Sequence, residues 1–164
     1  MSDDFYRDVC GGRLAPVLKA LTIFREEGTW LEVTNLIVPG LNDAPSALTA
    51  LCRWVRDNLG AETPLHFSRF YPMYKLANLP PTPVATLTMA RNIALEEGLH
   101  YPYVGNVPGH PGNNTYCPGC GQAVVERLGY QILAYRLDGN KCAKCGATVA
   151  GVWAPPPGDT RWVF

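Results

Sequence analysis

Glu32-Val33-Thr34-Asn35-Leu36-Ile37-Val38-Pro39-Gly40-Leu41-Asn42-Asp43 is the stretch on which the fold turns. Trp30 to Val38 reads as a strand. Its second half, Leu36-Ile37-Val38, is continuously apolar, as expected of a strand covered on both faces. Pro39 to Asp43 reads as a turn, with Asn42 or Asp43 placed to cap a helix. That helix is expected over Ala44 to Leu59, with Leu48, Leu51, Cys52, Val55 and Leu59 along one face and Gly60 as its stop.

The same alternation runs outward in both directions. Upstream, Leu14, Val17, Leu18, Leu21 and Phe24 mark one face of a helix between Arg13 and Glu27. Downstream, Leu65 to Phe70 reads as a strand and Tyr71 to Pro81 as a Pro-rich loop. Thr82-Pro83 then reads as cap and first turn of a helix ending at Gly98, and Leu99 to Val104 as a third strand. Strands alternating with helices of this length imply βαβ units and a parallel sheet. Helices on one side would leave the other face and both edges open, whereas parallel sheets are nearly always covered on both faces. The pattern is that of half of a larger α/β barrel or open sheet, a partial βα barrel being one form of it, expected over 1–105.

Past Gly105 the texture changes. Residues 106–114 are rich in Pro, Gly and Asn, and form a linker or shaped loop in which Asn106 and His110 could cap a cavity. Cys117-Pro118-Gly119-Cys120-Gly121 and Cys142-Ala143-Lys144-Cys145-Gly146 follow, with 21 residues between Cys120 and Cys142. Each C-x-x-C-G is a tight knuckle that aims two thiolates at one ion, and its glycine lets the chain turn back. Two knuckles joined by a hairpin make a four-thiolate site from Cys117, Cys120, Cys142 and Cys145. The expectation is a structural zinc ribbon over 106–153, with iron sharing the same ligands as the alternative. Four cysteines complete the tetrahedron, so His110 is not needed as a ligand. The stretch 154–164, with three consecutive prolines, is expected to be a flexible tail.

Composition narrows the function classes. The 164 residues are 47% hydrophobic, enough for a core, yet only 17% charged, with 16 glycines and 15 prolines. Fourteen basic residues balance 14 acidic ones, which argues against a binder of nucleic-acid phosphates working through bulk charge. Within the ribbon, Arg127, Arg136, Lys141 and Lys144 exceed Glu126 and Asp138, but a divalent ion on four thiolates cancels the excess. Tyr116, Tyr130 and Tyr135 are read as packing its hairpin, and no nucleic-acid partner is expected. The acidic start lacks a secretory h-region, and no apolar run reaches the roughly 18–20 residues of a membrane span. A cytoplasmic protein without a membrane role is expected, in which paired C-x-x-C motifs bind metal rather than form disulfides. Cys10 and Cys52 stand apart and are read as inert, Cys52 on the buried face of its helix.

The wording of several segments carries a resemblance. Glu32 to Asp43 resembles the fifth barrel strand and following turn of radical SAM enzymes of the pyruvate formate-lyase-activating-enzyme type. Pro64-Leu65-His66-Phe67-Ser68-Arg69-Phe70-Tyr71-Pro72 is similar to the sixth strand of that group. Together with Gly98 to Asn106 and the terminal ribbon, the order of segments resembles the radical SAM enzyme of the AmmeMemoRadiSam system, from about Asp4 to Trp153. The resemblance implies a cavity for S-adenosylmethionine and substrate lined by strand ends, with Thr34, Asn35, His66 and Arg69 as the cofactor-binding candidates. Arg69 could pair with a carboxylate of the cofactor, and His66 with its adenosine or with substrate. Strand alternation separates His66 and Ser68 from Arg69.

One departure matters. That family holds its [4Fe–4S] cluster on a C-x-x-x-C-x-x-C loop, and no such spacing occurs among the six cysteines here. The resemblance therefore implies the C-terminal half of such an enzyme, inactive without the half that carries the cluster. Expected partners are that N-terminal half, or another copy through the open sheet. The alternative is a non-catalytic zinc-ribbon interaction module that docks a partner through the sheet; a rubredoxin-like electron carrier is a third reading, requiring iron.

Overall fold

The computed structural model describes residues 2–153; the tail expected over 154–164 lies outside them. The chain opens with a short helix, α1 (Asp3–Asp8), capped by the Ser2 hydroxyl accepting from Phe5 N. Then come α2 (Leu14–Glu26), β1 (Val33–Ile37), α3 (Pro45–Leu59), β2 (Leu65–Arg69), α4 (Val84–Glu96) and β3 (Pro102–Gly105). The strands pair in parallel in the order β1-β2-β3. Pro102 is tolerated as the first residue of an outer strand, where its missing N–H breaks no ladder bond.

The core lies between the sheet and the helices α3 and α4. Ile37, Leu65, Phe67 and Val104 from the strands meet Leu48, Cys52, Val55 and Leu59 of α3 and Leu87, Ala90 and Ala94 of α4, all buried. Burial lifts the Cys52 thiol to about 12, so it stays protonated and inert. Outside the core, Arg53 and Arg56 of α3 clasp Glu97 beyond α4, at 2.9 Å from Arg53 Nε and 3.3 Å from Arg56 Nη1.

Three local expectations change. The caps proposed for α3 do other work: Asn42 Oδ1 accepts from Val38 N at 2.7 Å while its amide donates to Leu36 O, and Asp43 Oδ1 accepts from Gly40 N. They staple the turn, and α3 starts from Ala44 with no side-chain cap. Thr82 likewise does not cap α4, where Pro83 holds the N-cap position. Its buried hydroxyl donates to Ile37 O at 2.5 Å and accepts from Phe70 N at 2.9 Å, tying together the ends of β1 and β2. Finally, no residue of α2 is fully buried; Val17, Ile23 and Phe24 of this apolar helix stay exposed.

The sheet is open on the face away from α3 and α4. Register places Thr34, His66 and Tyr103 in one row across that face and Leu36, Ser68 and Gly105 in the next. Among the described residues the three strands do not close into a barrel.

The remainder is a ribbon. Strands β4 (Thr115–Tyr116), β5 (Ala123–Leu128) and β6 (Gln131–Tyr135) form an antiparallel sheet, and β7 (Leu137–Asp138) pairs with β8 (Lys141–Cys142). It does not hang from a loose linker. Tyr101 is buried among Cys117, Val124, Val125, Cys142 and Val149, and its hydroxyl accepts from Ala150 N at 2.9 Å. The entry loop is shaped: Asn113 donates to Val104 O at 2.7 Å, and Tyr116 to Pro111 O at 3.0 Å. Of the tyrosines read as packing the hairpin, Tyr130 is fully exposed at its tip and Tyr135 half-exposed against the edge of Trp153, so that expectation fails for Tyr130.

Candidate metal centre and sheet-face cavity

The two knuckles are near copies of one another. Gly121 N donates to Cys117 O at 2.9 Å and Gly146 N to Cys142 O at 2.8 Å; in return Cys117 N donates to Gln122 O and Cys142 N to Ala147 O. Gly121 and Gly146 have φ of 70° and 72°, left-handed turns that a side chain would strain. The knuckles meet closely enough that a Cβ on Gly119 would stand 2.8 Å from Ala147 Cβ.

This geometry gathers the four Sγ atoms within 4.8 Å of one another, with Cys117 to Cys145 at 3.5 Å and Cys120 to Cys142 at 3.8 Å. Those spacings are too long for disulfides. Thiolates about 2.3 Å from a central ion sit at tetrahedron corners about 3.8 Å apart, so the donor set fits a four-coordinate metal. Its electrostatics point the same way. N–H groups of Cys145 and Lys144 lower the Cys142 thiol to about 7. An N–H of Ala147 pulls on Cys145 as well, but the thiols of Cys117 and Cys120 outweigh it and push Cys145 up to about 12. Four sulfurs this close do not all ionise without a cation between them.

His110 is not part of this centre. Its Nδ1 accepts from Gly112 N at 2.9 Å, which leaves Nε2 to carry the proton toward Thr88 Oγ1 at 3.1 Å. Burial, then the Arg91 charge, lowers its pKa.

A second feature lies on the open sheet face. A cavity of about 620 Å³ is lined by Glu32, His66 and Tyr103, by the 104–108 segment with Asn113, and by Arg127, Gly129 and Tyr130 of the ribbon hairpin. His66 Nε2 meets Glu32 Oε2 at 2.8 Å, and the imidazole stacks on Tyr103 with centroids 4.9 Å apart. The hydrogen bond to His66 is the main cause that holds the Glu32 carboxyl below its usual range, and Trp30 Nε1 bonds its other oxygen. Tyr103 Oη shares Thr115 Oγ1 with Arg127 Nη1, each at 2.8 Å.

The structure separates the four residues named from the sequence for the cofactor pocket. Thr34 and His66 share the open face. Asn35 points to the helix side, where its buried Oδ1 has no partner. Arg69 spends its Nε on Thr82 O at 2.9 Å, and its guanidinium lies over Tyr71, 5.0 Å from the ring centroid. Glu32, Tyr103, Asn113 and Arg127 were not singled out. They come from four separate stretches, and only strand register and ribbon docking bring them beside His66. Asn106, at φ 61°, donates to Arg69 O and lines the cavity rim.

No protein-family model matches the chain. The chain is similar to uncharacterized protein MJ0808 of Methanocaldococcus jannaschii, 53% identical over 148 residues, which covers 89% of this chain and 44% of that protein. The chain thus spans less than half the length of the relative it matches. No helix among the described residues is long and apolar enough to cross a membrane.

Proposed function

We propose that this chain is the C-terminal part of a radical SAM enzyme similar to pyruvate formate-lyase activating enzyme, a half βα barrel whose inner wall faces cofactor and substrate. The observation that carries the reading is the unfinished sheet. Three parallel strands present Thr34 and His66 on a face that the ribbon covers only beside Tyr103, and β1 ends the sheet with a free edge. A relative more than twice as long has the chain length to supply the remaining strands. The chain's own cysteines offer no C-x-x-x-C-x-x-C loop, so the [4Fe–4S] cluster, which supplies the electron that cleaves S-adenosylmethionine, belongs to another segment. Thr34 and His66 stand on the wall expected to meet the cofactor; Asn35 and Arg69 support that wall from the far side and the strand end. The four-cysteine centre is a structural zinc site. Its four sulfur donors close the coordination sphere and leave no position for substrate.

The test is complementation. The chain is combined with a segment bearing the cluster loop, loaded with iron and sulfide under reducing anaerobic conditions, and assayed for 5′-deoxyadenosine. Product from the pair and from neither part alone supports the reading. A fully loaded, associated pair that forms none overturns it. The alternative, a non-catalytic ribbon module docking a partner through its sheet, draws on the same open face and predicts association without turnover.

A further inference from the structure

Arg127 is the only permanently charged cation among the residues lining the sheet-face cavity, and no carboxylate of the described residues pairs with it. Its Nη1 is tethered to Thr115 Oγ1 at 2.8 Å and to Asn113 O at 3.5 Å. The other edge of the guanidinium, Nε with Nη2, makes no hydrogen bond among the described residues. That edge is the one that matches a carboxylate or phosphate with two parallel bonds. Glu32, the nearest candidate to neutralise it from the cavity wall, is committed elsewhere, one oxygen to His66 and the other to Trp30. The volume of about 620 Å³ suits a small organic molecule.

We infer that the cavity between the open sheet face and the ribbon hairpin binds a small molecule through an anionic group, carboxylate or phosphate, held by the free edge of Arg127. This rests on the proposed inner-wall role of the sheet and assigns the ribbon a part in it. The module that the four cysteines fold delivers Arg127 of β5, with Gly129 and Tyr130 of the hairpin turn, to the cavity. A ligand anchored there lies along the stacked rings of His66 and Tyr103, because Tyr103 Oη and Arg127 Nη1 share Thr115 Oγ1.

The experiment uses the metal-loaded chain, titrated separately with sodium phosphate and sodium acetate at constant ionic strength while the side-chain Nε–Hε resonance of Arg127 is followed by NMR. The expected result is a saturable shift, accompanied at the same midpoint by shifts of the His66 and Tyr103 rings. The anion that saturates at lower concentration identifies the ligand group. R127Q weakens binding at least tenfold, and R127K, which keeps the charge but loses the two-pronged edge, weakens it severalfold. E32Q folds without disturbing the ribbon and tightens binding about threefold by removing a neighbouring negative charge. Linear, unsaturable shifts overturn the inference, as do equal affinities in wild type, R127K and E32Q. The titration needs neither cluster nor S-adenosylmethionine. Failure of the complementation assay would leave it standing, and a flat titration would leave the radical SAM reading standing.

Discussion

The imidazole of His66 lies on the ring of Tyr103, 18° from parallel, while its Nε2 meets Glu32 Oε2 at 2.8 Å. Tyr103 and Glu32, from segments distant in sequence, thereby hold the ring by its face and its edge. The pair with His66 favours ionised Glu32, whose pKa is lowered in the fold. A lowered carboxyl contributes stability that is present above its ordinary pKa of 4.5 and is lost as pH falls through the lower folded value. Glu32→Gln should therefore flatten the acid limb of the stability profile below about pH 4.5, measured by urea unfolding at stepped pH. An unchanged acid limb would show that the contact does not persist in solution.

His110 gives a slope at higher pH with a related sign. Its neutral form accepts from Gly112 N, and its pKa is lowered, so its contribution is complete above the ordinary value of 6.5 and fades as acid protonates the unfolded state first. Replacing His110 by Gln should remove that decline below the ordinary value of 6.5. The imidazole signals in a pH-stepped NMR series check the order of titration directly.

Removing the metal should unfold the ribbon before the α/β part. Its core is small, and Cys117 and Cys142 are themselves members of it. Chelation under reducing conditions should abolish amide protection over residues 115–150 while the strands β1 and β2 retain theirs. Cys142→Ser should mimic the chelated state. Protection surviving chelation would mean that the four cysteines do not depend on a metal.

Tyr101→Phe tests how the two parts are joined. It deletes the acceptor for Ala150 N inside a buried cluster and leaves a backbone donor unpaired, at a cost of about 1–3 kcal/mol. Loss of cooperativity, seen as a ribbon melting ahead of the sheet, is the expected signature in calorimetry.

Thr82→Val removes a hydroxyl that bridges Ile37 O and Phe70 N with nearly the same volume. Both backbone groups lose a buried partner, and the expected destabilisation is about 2–3 kcal/mol. A loss below about 0.5 kcal/mol would show that solvent or a shifted loop replaces the bridge.

Much of the fold can be read along the chain because the signals are local. The apolar spacing of Leu48, Cys52, Val55 and Leu59 defines a helix face whatever it packs against, and the run from Leu65 to Phe70 reads as a strand by its own pattern. The metal centre is legible for the same reason. Cys-x-x-Cys-Gly fixes each knuckle within five residues, and only the joining of two knuckles requires the rest of the ribbon. Other features were misread where a polar side chain had two local uses. Thr82 stands one residue before the N-cap proline of α4, and Asn42 stands two before Ala44; both bond strand ends instead. The hairpin that joins the knuckles is expected, but the bounds of β5 are not legible, because Ala-Val-Val-Glu-Arg-Leu alternates only weakly.

The sheet-face cavity belongs to a different level. Glu32, His66, Tyr103 and Arg127 are far apart in sequence, and nothing in the spacing between them signals a site. Parallel register sets His66 opposite Thr34 and Tyr103, and the shared core around Tyr101 brings the ribbon hairpin alongside. Short-range patterning decides which elements form and which sulfurs gather, because hydrogen bonds and side-chain spacing within a few residues are enough. Long-range register and docking decide which polar groups face one another across 95 residues of chain, from Glu32 to Arg127, because only the packed core holds those segments at fixed distances.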